Sequence, residues 1–328
     1  MGKKSKRGSG PRPGSNRAER VAARKARQLS ALAAPPRPFA GLAAECDLVA
    51  LRTFVASATA RAALVEPGPS PRELTSVVGA DNPPPRELPA GVRNEVLFAT
   101  VLPGAGPALV RENRGEPEGL VALQTEPDRI DLDGELAAAL DWAAHATPGA
   151  DYAPADEVAP LTELLDADAP LDIIVHEDFS WWFAAGVDVP AEIAEMFARA
   201  NESVMPTARL NPASGIGAPW WVDAGERAHL RWIRPEDEDD LMTALARLHA
   251  AGHLTLGEGS RFAGSFRTHG LLVPVFDLDN ELHHEEWYDG LNDFDARLTE
   301  ALADTAPLTT AELSSRDGIR GRQVTLRG

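Results

Sequence analysis

One recurrence constrains the fold more than any other feature: a set of short apolar segments followed by an amphipathic helix is written twice along the chain. In the first copy, strand-like segments at 95–102, 108–111 and 119–124 precede a helix over 133–145, with Leu136, Leu140 and Ala143 on one stripe. In the second, 207–210, 220–222 and 229–233 precede a helix over 236–251, with Leu241, Leu245 and Leu248 on one stripe and Gly252 as its stop. Pro107 and Pro219 are 112 residues apart, and Leu120 and Leu230 are 110 apart. Each half then adds a hairpin and another helix. The first uses 173–176 with 179–183, then 190–203 carrying Ile193, Met196, Phe197 and Ala200. The second uses 262–267 with 271–276, then 291–303 carrying Leu291, Phe294, Leu298 and Leu302. His176 and His269 are 93 residues apart, and the 17-residue shortfall equals the difference between the connectors 146–170 and 253–260. This predicts an α+β fold of two pseudo-repeated units of short antiparallel strands plus helices, preceded by a disordered basic arm.

The boundaries follow from composition. Residues 1–34 form the basic arm, too poor in apolar side chains to offset the entropy of ordering. Residues 35–93 hold a helix predicted over 45–64, with Leu48, Leu51, Val55, Ala58 and Ala62 on one face, and then a connector with Pro67, Pro69, Pro71, Pro83, Pro84, Pro85 and Pro89. The first half occupies 94–205, the second 206–304, and a C-terminal tail 305–328.

Charge divides along the same lines. Residues 1–30 carry ten basic side chains against Glu19, a net of +9, so an overall −18 leaves −27 on the other 298 residues. The arm residues Lys3, Lys4, Lys6, Arg7, Arg12, Arg17, Arg20, Arg24, Lys25 and Arg27 are therefore the candidate polyanion contacts. No lysine follows residue 25, which excludes from the body the usual phosphate-loop, kinase and Schiff-base chemistries. The single Cys46 excludes a disulfide framework and a multi-cysteine zinc site. No apolar run approaches the ~20 residues of a spanning helix, and the N-terminus lacks the apolar stretch of a secretory leader. A cytoplasmic protein without cofactor, metal or membrane association is expected.

Within the body, two tryptophan pairs, Trp181–Trp182 and Trp220–Trp221, are candidates for an interaction surface, because neighbouring residues on a strand point to opposite faces. The acidic run Glu236, Asp237, Glu238, Asp239 and Asp240 follows Pro235 and suits a helix start. His249 with His253, and His283 with His284, lack a third ligand at metal-site spacing. The segment 256–267 is glycine-rich and reads as a turn entering a strand. Arg261 and Arg267 within it, together with His269, His176 and Glu258, are the candidate ligand contacts at a junction of the halves; no catalytic residue is assigned.

Three stretches resemble an actinobacterial family of unknown function: Arg37-Pro38-Phe39-Ala40-Gly41-Leu42 through Arg52, Leu245 to Gly252 running on to Leu271, and Arg322-Gln323-Val324-Thr325-Leu326. Some relatives carry an N-terminal zinc segment like that of the secretion ATPase SecA, built from three cysteines and a histidine around Gly-Ser-Gly. Here Gly8-Ser9-Gly10 stands without those ligands. The expectation is a non-enzymatic interaction or adaptor module, with residues 1–30 contacting nucleic acid or the ribosome and the body free to take a protein partner. The alternative is a small-molecule-binding or hydrolytic enzyme with its site between the halves.

Overall fold

A computed structural model describes residues 37–65, 93–125, 132–184 and 191–325. The arm and the proline-rich connector of 66–92 lie outside the described residues. The chain opens with helix α1, Glu45–Thr53, and strand β1, Ala58–Ala63. The expected helix over 45–64 therefore stops early, at Phe54, whose φ of −150° leaves the helical region. Ala58 and Ala62 are four apart, which satisfies a helical stripe, but both are also of one parity and fit a strand face. Ala58, Ala60 and Ala62 are all buried, which is the strand solution.

Strands β2 (Glu95–Ala99), β3 (Ala108–Asn113) and β4 (Glu116–Ala122) are followed by helix α2, Leu132–His145, and by the single turn α3, Leu161–Leu164. Strand β5, Asp172–Val175, completes a five-stranded sheet in the order β3-β4-β2-β1-β5. Its alternation is clear in β2, where Val96 and Phe98 face the helices while Leu97 and Ala99 face away. Gly119 lets β4 approach α2 closely, since a Cβ there would lie 2.5 Å from the Ala143 carbonyl oxygen.

The expected hairpin of 173–176 with 179–183 does not form. Strand β5 pairs with β1 instead, and Ser180–Trp182 is a turn of 3₁₀ helix. The Asp178 carboxylate accepts from the Ser180 amide at 2.8 Å, a local bond that competes with strand pairing. Helix α4, Ala191–Asn201, follows.

The second sheet is built from β6 (Thr207–Arg209), β7 (Ala218–Asp223), β8 (Ala228–Ile233), β9 (Ser260–Thr268), β10 (Leu271–Leu278) and β11 (Gln323–Thr325), in the order β11-β9-β10-β8-β7-β6. Helix α5, Glu238–Ala250, leads into β9; helices α6, Tyr288–Ala303, and α7, Thr310–Arg320, follow β10. The acidic run starts α5 as expected: Asp237 caps it, accepting from the Asp239 amide at 2.8 Å and the Asp240 amide at 3.4 Å.

The order strand-strand-strand-helix thus recurs as β2-β3-β4-α2 and β6-β7-β8-α5, but the pairing does not repeat. In the first sheet β2 runs parallel to β4 with β3 outside, whereas β6, β7 and β8 form an antiparallel meander. One face of the second sheet, with Leu230, Trp232, Leu272 and Phe276, packs on α5, α6 and α7. Its other face contributes Ala218, Trp220, Ile233 and Val273 to a core shared with α1, α2 and the first sheet.

Candidate functional site

The inner face of the second sheet is not covered along its whole length. Beyond Ile233 and Val273 it opens into a groove of about 400 Å³ lined by Phe54, His229, Arg231, Ala263, Phe266, Val275 and Asp277. Alternation along β8 explains the lining: Leu230 and Trp232 go to the helical side, so His229 and Arg231 must face the groove. Register then sets His229 opposite Asp277 and Arg231 opposite Val275. Phe54, the residue that ends α1, forms the facing wall, and its ring meets Phe266 edge-on at 6.4 Å.

Asp277 gathers positive partners. Arg261 Nη2 donates to its Oδ2 at 2.6 Å and Arg227 Nη1 at 3.0 Å, and His229 Nδ1 lies 3.2 Å from Oδ1. The His229 approach is off the hydrogen-bonding direction, so that buried nitrogen has no hydrogen-bond partner among the described residues. Burial works to raise the Asp277 carboxyl, but the bond from Arg261 and the nearness of His229 and Arg227 outweigh it and hold the carboxyl below its ordinary value.

The five sequence-predicted ligand contacts do not share a set of partners. Arg261 belongs to the Asp277 cluster on the rim of the groove. Arg267 donates to Glu238 at the start of α5, through Nε at 2.7 Å. Glu258 is exposed in the turn before β9. His269 is tied to the end of α1: Arg52 Nε donates to its Nε2 at 3.2 Å, and its Nδ1 lies 2.8 Å from Thr268 Oγ1. Burial, with the Arg52 charge, pushes the His269 pKa down to about 4. His176 meets Thr59 Oγ1 at 2.9 Å through Nε2 and stacks on Trp181 at 5.6 Å. The nearby Ser57 hydroxyl donates to the Asp178 carbonyl at 2.7 Å and accepts from Trp181 Nε1 at 2.8 Å, so its proton is committed away from His176. No serine–histidine nucleophile arises there.

The tryptophan pairs separate. Trp220 and Trp221 do occupy a strand, with indoles on opposite faces, and both are buried. Trp221 is covered by the helical layer and lies near the His284 ring, at 5.6 Å, so neither indole of this pair offers an external anchor. Trp181 and Trp182 are half-buried on the 3₁₀ turn, where Arg111 Nη1 donates to both of their carbonyls at 2.8 and 2.9 Å. Cys46 is buried, and desolvation pushes its thiol up to about 12. Among the described residues no group of three or more His, Cys, Asp or Glu could hold a metal, and no helix is long and apolar enough to cross a membrane.

The sequence model of a family of unknown function, DUF5926, matches residues 85–327. The chain belongs to this family. No curated protein and no solved structure matches the chain. The DUF5926 match takes in the three groove strands β8, β9 and β10, with His229, Arg231 and Asp277, but begins after α1 and β1. Phe54 and Arg52, which tie the N-terminal helix to the second sheet, therefore lie ahead of the matched region. Within the matched residues, the polar groove side chains His229, Arg231 and Asp277 were all missed by sequence reasoning. The available signal on β8 was alternation with Leu230 and Trp232, which puts two polar residues, His229 and Arg231, on one strand face.

Proposed function

We propose that this DUF5926 protein is a non-enzymatic interaction module whose acidic body is held on a polyanion, nucleic acid or ribosome, by residues 1–30. The observation that carries this reading is the segregation of charge, +9 on the arm against −27 on the remainder. The body's own cations support it, because many are spent internally. Arg37 pairs with Glu45, Arg111 with Glu118, Arg209 with Asp47, Arg234 with Glu236, and Arg267 with Glu238. An arginine closed on a carboxylate has little left for a phosphate.

The test compares full-length protein with a full-length variant in which the ten basic arm residues are changed to glutamine. Binding to a labelled RNA fragment should fall by about a thousandfold between ~50 and ~200 mM salt, because neutralised phosphates release counterions. The variant should lose that binding. Equal binding by both proteins refutes the reading.

A further inference from the structure

Among the charged groups of the second sheet's inner face, Arg231 stands apart. Arg227 and Arg261 both close on Asp277, while Arg231 has no hydrogen-bonding or ionic partner among the described residues. It is half-buried in the groove wall, with its guanidinium carbon 5.0 Å from the centre of the Phe54 ring. Burial lowers its pKa from the ordinary arginine value, with no neighbouring acid to oppose the effect. A guanidinium partly stripped of water and left without a counter-charge is less favourable than one in solvent, and an arriving anion relieves that cost. The cation–π contact with Phe54 restrains the guanidinium at the groove wall without using its N–H donors.

The remaining walls define what the anion must be attached to. Phe54, Phe266, Val275 and Ala263 are apolar, and the 400 Å³ volume is that of a small-molecule site. At the far end Asp277 holds a negative charge of its own. Arg227 and Arg261 already close on that carboxylate, so Arg231 is the groove cation left for a ligand, and one cation favours a single negative charge over the two of a phosphate. The geometry points to this groove as the binding site for a small flat monocarboxylate, its carboxylate forked by Arg231 and its apolar body laid against the edge-on pair Phe54 and Phe266. The site is independent of the arm, so its success or failure leaves the polyanion reading where it was.

The probe is benzoate, titrated into the full-length protein by saturation-transfer NMR with benzamide and inorganic phosphate as controls. Benzoate should saturate below ~10 mM, and benzamide, which lacks the charge, should bind about tenfold more weakly or less. Phosphate should not displace benzoate. Arg231→Gln should weaken benzoate at least about tenfold, whereas Arg261→Gln on the rim should change it less than about twofold. Circular dichroism checks that Arg231→Gln is folded. If it is not, Phe54→Leu decides the matter, because it keeps the cation and removes the ring, and should weaken benzoate several-fold. The proposal is overturned by equal binding of benzoate and benzamide, by displacement with phosphate, by an unaltered affinity in the deciding variant, or by no saturation up to ~10 mM.

Discussion

His269 shows how much one side chain can decide. Its φ of 48° places it in the left-handed region at the β9–β10 turn, directly before Gly270. Since Arg52 donates to Nε2, the ring must be neutral with its proton on Nδ1, donating to Thr268 Oγ1. Protonation would set two like charges against each other in a largely desolvated place. With a folded pKa near 4 against an ordinary value of about 6.5, the contribution of this histidine is fully present above pH ~6.5 and is lost as pH falls through 4. At pH 5 the loss should reach up to ~2 kcal/mol. Chemical denaturation at pH 7 and pH 5 measures it. His269→Asn, which tolerates the same backbone region and does not titrate, should show a smaller loss over that interval.

At the scale of elements, helix α5 is the best case for a start written in the sequence. Asp237 stands between Pro235 and a run of acids, and its carboxylate takes up two amides of the first turn. Asp237→Ala should cost about 1 kcal/mol, read as a lowered midpoint of thermal or urea unfolding. Helices α2, α5 and α6 were legible for the same reason: each repeats an apolar residue every three or four positions for two turns or more. The α1–β1 boundary was not. Ala58 and Ala62 satisfy both periods, and what decides for the strand is pairing with β2 and β5, contacts made by residues 32 to 117 positions away. Phe179 to Phe183 failed differently, since five aromatic-rich residues look like a strand until the Asp178 side chain bonds the Ser180 amide. The groove was only half legible. Alternation marks His229 and Arg231 as sharing a face, but nothing in the order of residues says that Arg227 and Arg261 find Asp277 while Arg231 does not.

The whole molecule carries its charge unevenly, and this has two consequences of opposite sign. A body with a net −27 repels itself, so added salt should stabilise its fold, raising the thermal midpoint between ~10 and ~150 mM sodium chloride as the Debye length shortens. The same salt should weaken contact between the arm and a polyanion. Differential scanning fluorimetry and the RNA titration, run over one series of buffers, should therefore slope in opposite directions. A midpoint that falls with salt would show that the paired arginines, rather than the acidic excess, dominate the electrostatics of the body.

Cys46 has a practical consequence. The only sulfhydryl in 328 residues lies on the buried side of α1 with almost no thiolate at neutral pH, so maleimide reagents find nothing to attack in the native fold. A cysteine introduced at any exposed serine would then be the sole labelled position without first removing the natural one. Spectroscopic rulers for the arm and the groove can be installed on an otherwise unaltered background.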